Sequence, residues 1–262
     1  MSIEIPLKIT ILGSGTSTGV PTIGCKCKVC TSDDPKEKRL RSSILMTRQD
    51  TQENLVIDTT PDFRMQMLNA KVHTLQHVLY THTHADHCHG FDDLRAFYFL
   101  NQKPVHCYLS PEMLEEFKCR FSYAFTNTGY LGTAPQVVVK PIPNQPFSIN
   151  GLEIDTIRLP HGSVLTTGFR FGSFAYITDF KEFPWEYRSL WKNKVHTMVA
   201  SGLRFRSHPT HSSIDETITL FKDLGVKKGI ITHLSHEVDY KRDQSSLPSH
   251  VSFAYDGLCF DV

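Results

Sequence analysis

The sequence has little net charge and no long apolar run. Its 262 residues include 28 lysines and arginines against 27 aspartates and glutamates, a formal net charge of +1. Because this balance offers no broad basic surface, long nucleic acid is not favoured as a partner. No stretch approaches the roughly 18 apolar residues of a membrane span, and the start MSIEIPLKIT lacks the features of a signal peptide. We therefore expect a soluble, cytoplasmic protein with no membrane partner.

Cysteine is also scarce. The chain has seven cysteines, which are too few and odd in number for a disulfide scaffold. Three of them, Cys25, Cys27 and Cys30, lie close together, and in a reducing compartment such spacing indicates metal binding. We expect the others to be small buried hydrophobic side chains, namely Cys88, Cys107, Cys119 and Cys259.

Internal repeats, low-complexity tracts and linkers are absent as well, so residues 1–262 are predicted to form a single domain. Short β-rich runs outnumber helical patterns by about three to one. The helical patterns cover residues 63–69, 92–100, 110–125 and 214–224, the first with Asp62 as its N-cap. Buried runs such as LVID and GIIT favour an α/β fold in which two sheets pack face to face with helices outside.

Histidine, in contrast, is abundant, with 14 in the chain. The segment THTHADHCHG follows an apolar run, so His82, His84, Asp86 and His87 are predicted where a buried strand becomes a loop. Spacings of two place the first three on one side of an extended chain, with His87 pointing elsewhere towards a second ion. Neutral imidazole suits zinc, iron or manganese. The pattern therefore predicts two neighbouring metals.

Two metals need more ligands than this segment supplies, and suitable residues occur downstream. His161 lies in the loop LPHGS, Asp179 ends the run AYITD and His233 ends the run GIITH. Alone, each could cap a turn. Their shared position at predicted strand ends favours a role as metal ligands.

This arrangement resembles the metallo-β-lactamase superfamily, whose hallmark is His-x-His-x-Asp-His followed by a lone His, a lone Asp and a final His. The resemblance implies a four-layer αββα sandwich of two mixed sheets with helices outside. It implies a first ion held by three histidines, His82, His84 and His161. It implies a second ion held by Asp86, His87 and His233, with Asp179 bridging both ions. Asp86 is also a catalytic candidate.

A narrower resemblance is to the subgroup that contains the phosphonate-pathway cyclic phosphodiesterase. Four segments carry it: GSGTSTGVPTIGCKCKVC, IDTTPDFR, HGFDDLR and ITHLSH. It implies a structural zinc bound by Cys25, Cys27, Cys30 and His236. Three thiolates and one imidazole complete a closed tetrahedral site. We therefore expect two divalent transition metals, zinc or manganese, at the active site and one structural zinc.

The segment RSHPTHSSIDE contains two candidates for a catalytic proton donor, before a helix that Ser212 or Ser213 can cap. Phosphodiester cleavage must protonate a leaving alkoxide, and a histidine with a pKa near 6.5 is suited to this. The resemblance to the phosphodiesterase subgroup implies that a histidine before this helix is the proton donor. His211 matches it best and His208 is the reserve. Asp58 is either a turn former or an acceptor that orients a ligand histidine.

The resulting prediction is a dinuclear metal-dependent hydrolase, favoured as a phosphodiesterase for small or cyclic phosphodiesters that uses a metal-bridging hydroxide and a histidine general acid. One alternative is thioester or lactone hydrolysis at the same metals, because the same ions activate water against a carbonyl. An RNA 3′-processing nuclease ranks third, since no long Gly/Pro-rich arm is visible. A redox diiron protein typically has Glu where this chain has His84. The sequence leaves the natural substrate, the active-site metal and a homodimer open.

Overall fold

The computed structural model describes residues 5–125 and 134–262 and shows two seven-stranded β-sheets. In chain order the strands are β1 (Leu7–Gly13), β2 (Ser43–Arg48), β3 (Asn54–Ile57), β4 (His77–Leu79), β5 (Val105–Leu109), β6 (Val137–Pro141), β7 (Phe147–Ile149), β8 (Leu152–His161), β9 (Val164–Phe171), β10 (Phe174–Ile177), β11 (Thr197–Ser201), β12 (Lys228–Thr232), β13 (Val251–Phe253) and β14 (Cys259–Asp261). The first sheet has the order β14-β1-β2-β3-β4-β5-β6, and the second has the order β13-β12-β11-β10-β9-β8-β7.

Both sheets are mixed. In the first, antiparallel pairing runs from β14 to β3 and parallel pairing from β3 to β6. In the second, the strands from β7 to β10 pair antiparallel and those from β10 to β13 pair parallel. The carboxyl ends of parallel neighbours lie at one edge of each sheet, where loop residues can converge.

The helices lie outside the two sheets. They are α1 (Phe63–Asn69), α2 (Ala85–Cys88), α3 (Arg95–Asn101), α4 (Pro111–Arg120), α5 (Trp185–Trp191), α6 (Ile214–Leu224) and α7 (Tyr240–Gln244). Phe63 of α1 and Phe117 of α4 pack on the first sheet, while Trp191 and Phe221 pack on the second. A third apolar cluster, which includes Ile9, fills the space between the sheets. The predicted αββα sandwich of two mixed sheets is therefore confirmed.

Local differences from the prediction concern short elements and one cap. The three-residue strands β7 and β13 and the helices α2 and α7, of four and five residues, were not predicted, because segments this short show no clear periodicity. The seven-residue helix α5 was not predicted either. The Asp62 side chain does not cap α1; it accepts hydrogen bonds from the backbone and the guanidinium of Arg41. Ser213 does cap α6, in a capping box with Glu216.

Membrane insertion through a helix finds no support in the described part of the chain. None of the helices in residues 5–125 and 134–262 is long and apolar enough to cross a bilayer.

Candidate metal centre

Seven of the predicted ligand side chains form two groups at one end of the sandwich. The first group consists of His82, His84 and His161. The second group consists of Asp86, His87, Asp179 and His233. Within each group the candidate ligand atoms lie within 4.8 Å of one another. The structure thus brings together side chains that are up to 151 positions apart (233 minus 82).

The local backbone decides which group each side chain joins. His82 and His84 follow β4 in extended backbone, but the chain becomes helical at Ala85. Asp86 and His87 therefore lie in the single turn of α2, and Asp86 joins the second group. The prediction from spacing that Asp86 shares a side with His82 and His84 is wrong, since the alternation of an extended chain ends where the helix begins.

Three residues at the strand ends have left-handed backbone. Asp58 follows β3 with φ 67°, Asp179 follows β10 with φ 51°, and His233 follows β12 with φ 60°. This region is disfavoured for residues other than glycine, and such backbone conformations cluster at functional sites. Here the left-handed conformation occurs at Asp179 and His233 of the second group and at Asp58, which contacts His87 of that group.

Short contacts join the histidines of the second group to the carboxylate of Asp179. His87 Nε2 lies 2.8 Å from Asp179 Oδ2, and His233 Nε2 lies 2.9 Å from Asp179 Oδ1. Burial alone would raise the pKa of Asp179, but His233 and His87 outweigh it and hold that pKa well below its usual range. Burial would likewise lower the pKa of His233, but Asp179 and Asp86 raise it to about 9. The charges therefore compensate one another where a cation would bind.

The donor atoms fit a divalent metal. The Nε2 atoms of His82, His87 and His233 are buried, and although two of them lie within 2.9 Å of Asp179 oxygens, none has the geometry of a hydrogen bond to a described residue. Buried polar atoms are nearly always paired, so atoms that lie close together without hydrogen bonds are expected when they share a cation. Imidazole nitrogens with carboxylate oxygens form a ligand set that suits zinc or manganese.

Hydrogen bonds on the other ring nitrogens orient the histidines. His87 Nδ1 lies 2.6 Å from Asp58 Oδ2, and the same carboxylate accepts from the backbone and hydroxyl of Thr81. His161 Nδ1 donates to the backbone carbonyl of Thr210 at 3.0 Å. These contacts leave Nε2 free to face an ion, an arrangement typical of metal-binding histidines. Of the two roles weighed for Asp58, the geometry favours the orienting acceptor.

The two candidate proton donors occupy different places. His211 lines a cavity of about 490 Å³ together with His84, Asp86, His161 and Asp179. Its Nδ1 lies 3.6 Å from Asp179 Oδ1. Burial and then His233 lower the pKa of His211 to about 3, against the opposing effect of Asp179.

His208 is not among the described residues that line this cavity. Its ring centroid lies 5.0 Å from that of His211. Its Nδ1 accepts from the backbone N–H of Thr210 at 3.3 Å, so it fixes the segment whose carbonyl orients His161. The geometry thus gives His211 access to a substrate and gives His208 a supporting contact.

A second cluster lies beside the metal groups. The ligand atoms of Cys25, Cys27, Cys30 and His236 lie within 4.8 Å of one another. The sulfurs of Cys25 and Cys27 are 3.3 and 3.4 Å from His236 Nδ1. The backbone N–H of Cys30 and the ring of His236 lower the pKa of Cys27 to about 6, which favours its thiolate. This donor set fits a closed zinc site.

The other cysteines differ from the prediction in part. Cys88 and Cys107 are fully buried, as expected. Cys119 and Cys259 are exposed. Cys119 lies near the end of α4 on its outer face, and Cys259 lies on the edge strand β14, where no further strand covers it.

A buried arginine was missed by the sequence reasoning. Arg39 is only 1% exposed, and it donates to the carbonyls of Ser235 and Val238 and pairs with Glu37. These carbonyls flank His236, so the arginine holds the loop that carries both His233 and His236. Its position in the charged run KEKRLR is typical of a solvated surface, and no local signal distinguishes it.

Comparison with known proteins agrees with the family resemblance of the metal-ligand motif. A family model described as a Beta-lactamase superfamily domain matches residues 53–234. The curated octanoyltransferase of Porphyromonas gingivalis is 35% identical over 254 residues, which are 96% of this chain but 51% of that protein. Coenzyme PQQ synthesis protein B of Methylorubrum populi is 30% identical over 120 residues, 41% of this chain and 38% of that protein. The chain thus matches about half, or less, of the length of these curated relatives.

Solved structures extend the comparison. A diphosphatase from the PhnP family has a TM-score of 0.90 and 33% identity, covering 98% of both chains. Zinc-bound PqqB from Methylobacterium extorquens has a TM-score of 0.78 and 19% identity over 97% of this chain and 100% of that one. Human tRNase Z, short form, has a TM-score of 0.69 and 15% identity over 97% and 98%. The last two show the fold alone. By its family match and its PhnP-family relative, this chain belongs to the beta-lactamase superfamily.

Proposed function

We propose that the protein is a dinuclear phosphodiesterase that acts on small phosphodiesters, including cyclic ones. The observation that carries this proposal is the position of His211. Its ring centroid lies 4.7 Å from that of His161 and 5.1 Å from that of His233, so it faces ligands of both metal groups. A substrate held between the groups would therefore lie beside this imidazole.

The proposed metals are two zinc or manganese ions. The first would be held by His82, His84 and His161. The second would be held by Asp86, His87 and His233, with Asp179 shared between the two. When bound, such ions supply an activated water molecule and stabilise negative charge on phosphoryl oxygens. Cys25, Cys27, Cys30 and His236 would hold a structural zinc.

The walls of the cavity favour a substrate of low charge. Besides the ligands and His211, the cavity is lined by Ser17, Gly162, Ser163 and Thr210, and no lysine or arginine of the described residues reaches it. A phosphodiester carries a single negative charge and so needs less compensation than a phosphomonoester. We expect the metals to meet that charge and the hydroxyl groups to contact the rest of the substrate.

The role of His211 is to hold a proton for the leaving oxygen. Its imidazole lines the cavity between the two ligand groups, where the leaving oxygen of a bound substrate would lie. An alkoxide must be protonated as it leaves. A thiolate, whose conjugate thiol has a pKa of about 8.5, leaves without help. A histidine at this position is therefore more useful for phosphodiesters than for thioesters.

The test compares two leaving groups on metal-loaded protein. His211→Ala should lower the rate on a 2′,3′-cyclic nucleotide by about 10²- to 10⁴-fold, because its alkoxide needs a proton. The same variant should affect bis(p-nitrophenyl) phosphate much less, because p-nitrophenolate is weakly basic. His250→Ala, an exposed histidine, is the matched control. Equal rates of His211→Ala and wild type on the cyclic substrate would remove the proposed proton donor.

Acyl hydrolysis is the second candidate, since one relative is named an octanoyltransferase. The chain matches only half of that protein, so the name does not assign the activity to the matched half. An octanoyl thioester assayed on the same metal-loaded preparation distinguishes the two functions. Faster turnover of the thioester than of both phosphodiesters would favour the acyl hydrolase.

A further inference from the structure

A second cavity lies at the open edge of the second sheet. Strand β7 pairs with Leu152, Glu153 and Ile154 of β8, and within the described residues no strand pairs with β8 on this side from residue 155 onward. The cavity has a volume of about 590 Å³ and lies between this edge and α5. Among the described residues, it shares no lining side chain with the metal-site cavity.

The lining carries more positive than negative charge. Its cationic side chains are Arg158, Arg170 and Lys194, and its one acidic side chain is Asp155. Arg170 pairs with Asp155 and donates to the carbonyl of Gly172. The charge of Arg170 is therefore neutralised, whereas Arg158 and Lys194 have no acidic partner in the lining.

The other two cations lack effective partners. Arg158 donates to the hydroxyl of Thr167, and its nearest carboxylate is that of Glu112 at 3.5 Å, whose side chain is 67% exposed. An exposed pair at this distance contributes little. Burial lowers the pKa of Arg158, with Glu112 opposing, so its charge is partly desolvated. Within residues 5–125 and 134–262, Lys194 has no ion pair or side-chain hydrogen bond.

We propose that this cavity binds a phosphorylated small molecule of about mononucleotide size, at a site separate from the metal centre. Arginine and lysine together are the side chains that proteins use for phosphate groups. The volume lies within the range of roughly 300 to 1,000 Å³ that is typical of small-ligand sites. Tyr187 and Trp191 supply an aromatic wall next to the cations. The site does not depend on the proposed phosphodiesterase activity.

Tryptophan fluorescence can report binding at this site. Both of its tryptophans, Trp185 and Trp191, lie in α5, and Trp191 lines the cavity. Intrinsic fluorescence of the metal-loaded protein, titrated with AMP, should therefore follow binding directly. Adenosine, which lacks the phosphate, should bind at least about tenfold more weakly, since a charge-assisted hydrogen bond contributes that much or more.

Variants locate the binding site. Lys194→Met and Arg158→Met should each weaken AMP binding by about tenfold, whereas the turnover of bis(p-nitrophenyl) phosphate should stay unchanged. Arg188→Met is the matched control, because Arg188 also lies in α5 but pairs with Asp223 outside the cavity. Lys194 is exposed, so its variant should fold normally. No AMP binding at millimolar concentration, or equal binding by Lys194→Met and Arg188→Met, would overturn the proposal.

Discussion

Replacing Arg39 by methionine tests how the loop that carries His233 and His236 is held in place. The guanidinium donates to Ser235 O at 2.9 Å and to Val238 O at 2.8 Å, and it pairs with the Glu37 carboxylate. Glu37 is itself buried, with a side chain only 5% exposed, and it accepts from the backbone of Tyr240. Arg39→Met therefore leaves one buried carboxylate and two carbonyls without their cationic partner.

The size of the effect follows from that burial. Removing one partner of a buried ion pair lowers the free energy of unfolding by about 3–5 kcal/mol. For a chain of this size, each 1 kcal/mol shifts the melting temperature by about 2–4 °C, so we expect a fall of roughly 6–20 °C. The double variant Arg39→Met, Glu37→Gln should recover part of this loss, because it removes the unpaired charge.

Urea unfolding followed by circular dichroism measures the change. The control is Arg188→Met, which breaks an ion pair whose side chains are 43% and 41% exposed and should cost less than about 1 kcal/mol. If Arg39→Met were no more destabilising than this control, the argument that a buried arginine supports the loop of residues 233–238 would be refuted.

Two further variants test the metal groups. Asp58→Asn should weaken metal affinity or turnover by about 10- to 100-fold, because it disturbs the acceptor that orients His87; unchanged metal titration curves would contradict this role. Cys27→Ser should lose one equivalent of bound zinc by elemental analysis, whereas Cys259→Ser, at an exposed cysteine far along the chain, should retain it. Equal zinc content in both variants would argue against a cysteine site.

Much of the fold could be predicted from local patterns. The strands β10 and β12 contain the apolar parts of the runs AYITD and GIITH, because buried β-branched and aromatic residues bounded by turns are a strong signal. The strands β7 and β13 have three residues each, too few for any periodicity. The helix α5 follows Pro184 and contains two tryptophans, a composition that helix propensity does not favour strongly.

The site was predictable by residue type but not in every contact. Because histidines and aspartates are metal-ligand residue types wherever they occur, the sequence predicted the seven side chains that the structure brings together in two groups. The position of Asp86 depended on a four-residue helix that alternation cannot show. Arg39 and the cavity beside α5 depend on residues brought together from distant segments, and such contacts leave no local pattern.

In the proposed function, two metals at this site drive phosphodiester hydrolysis. The most direct measurement adds zinc or manganese back to chelated protein and follows the turnover of bis(p-nitrophenyl) phosphate against metal equivalents bound. We predict no turnover without metal and a rise that levels off at two equivalents, counted beyond the zinc at the cysteine cluster. Turnover that persists without metal, saturation at a single equivalent, or no phosphodiester hydrolysis with either metal would contradict the claim.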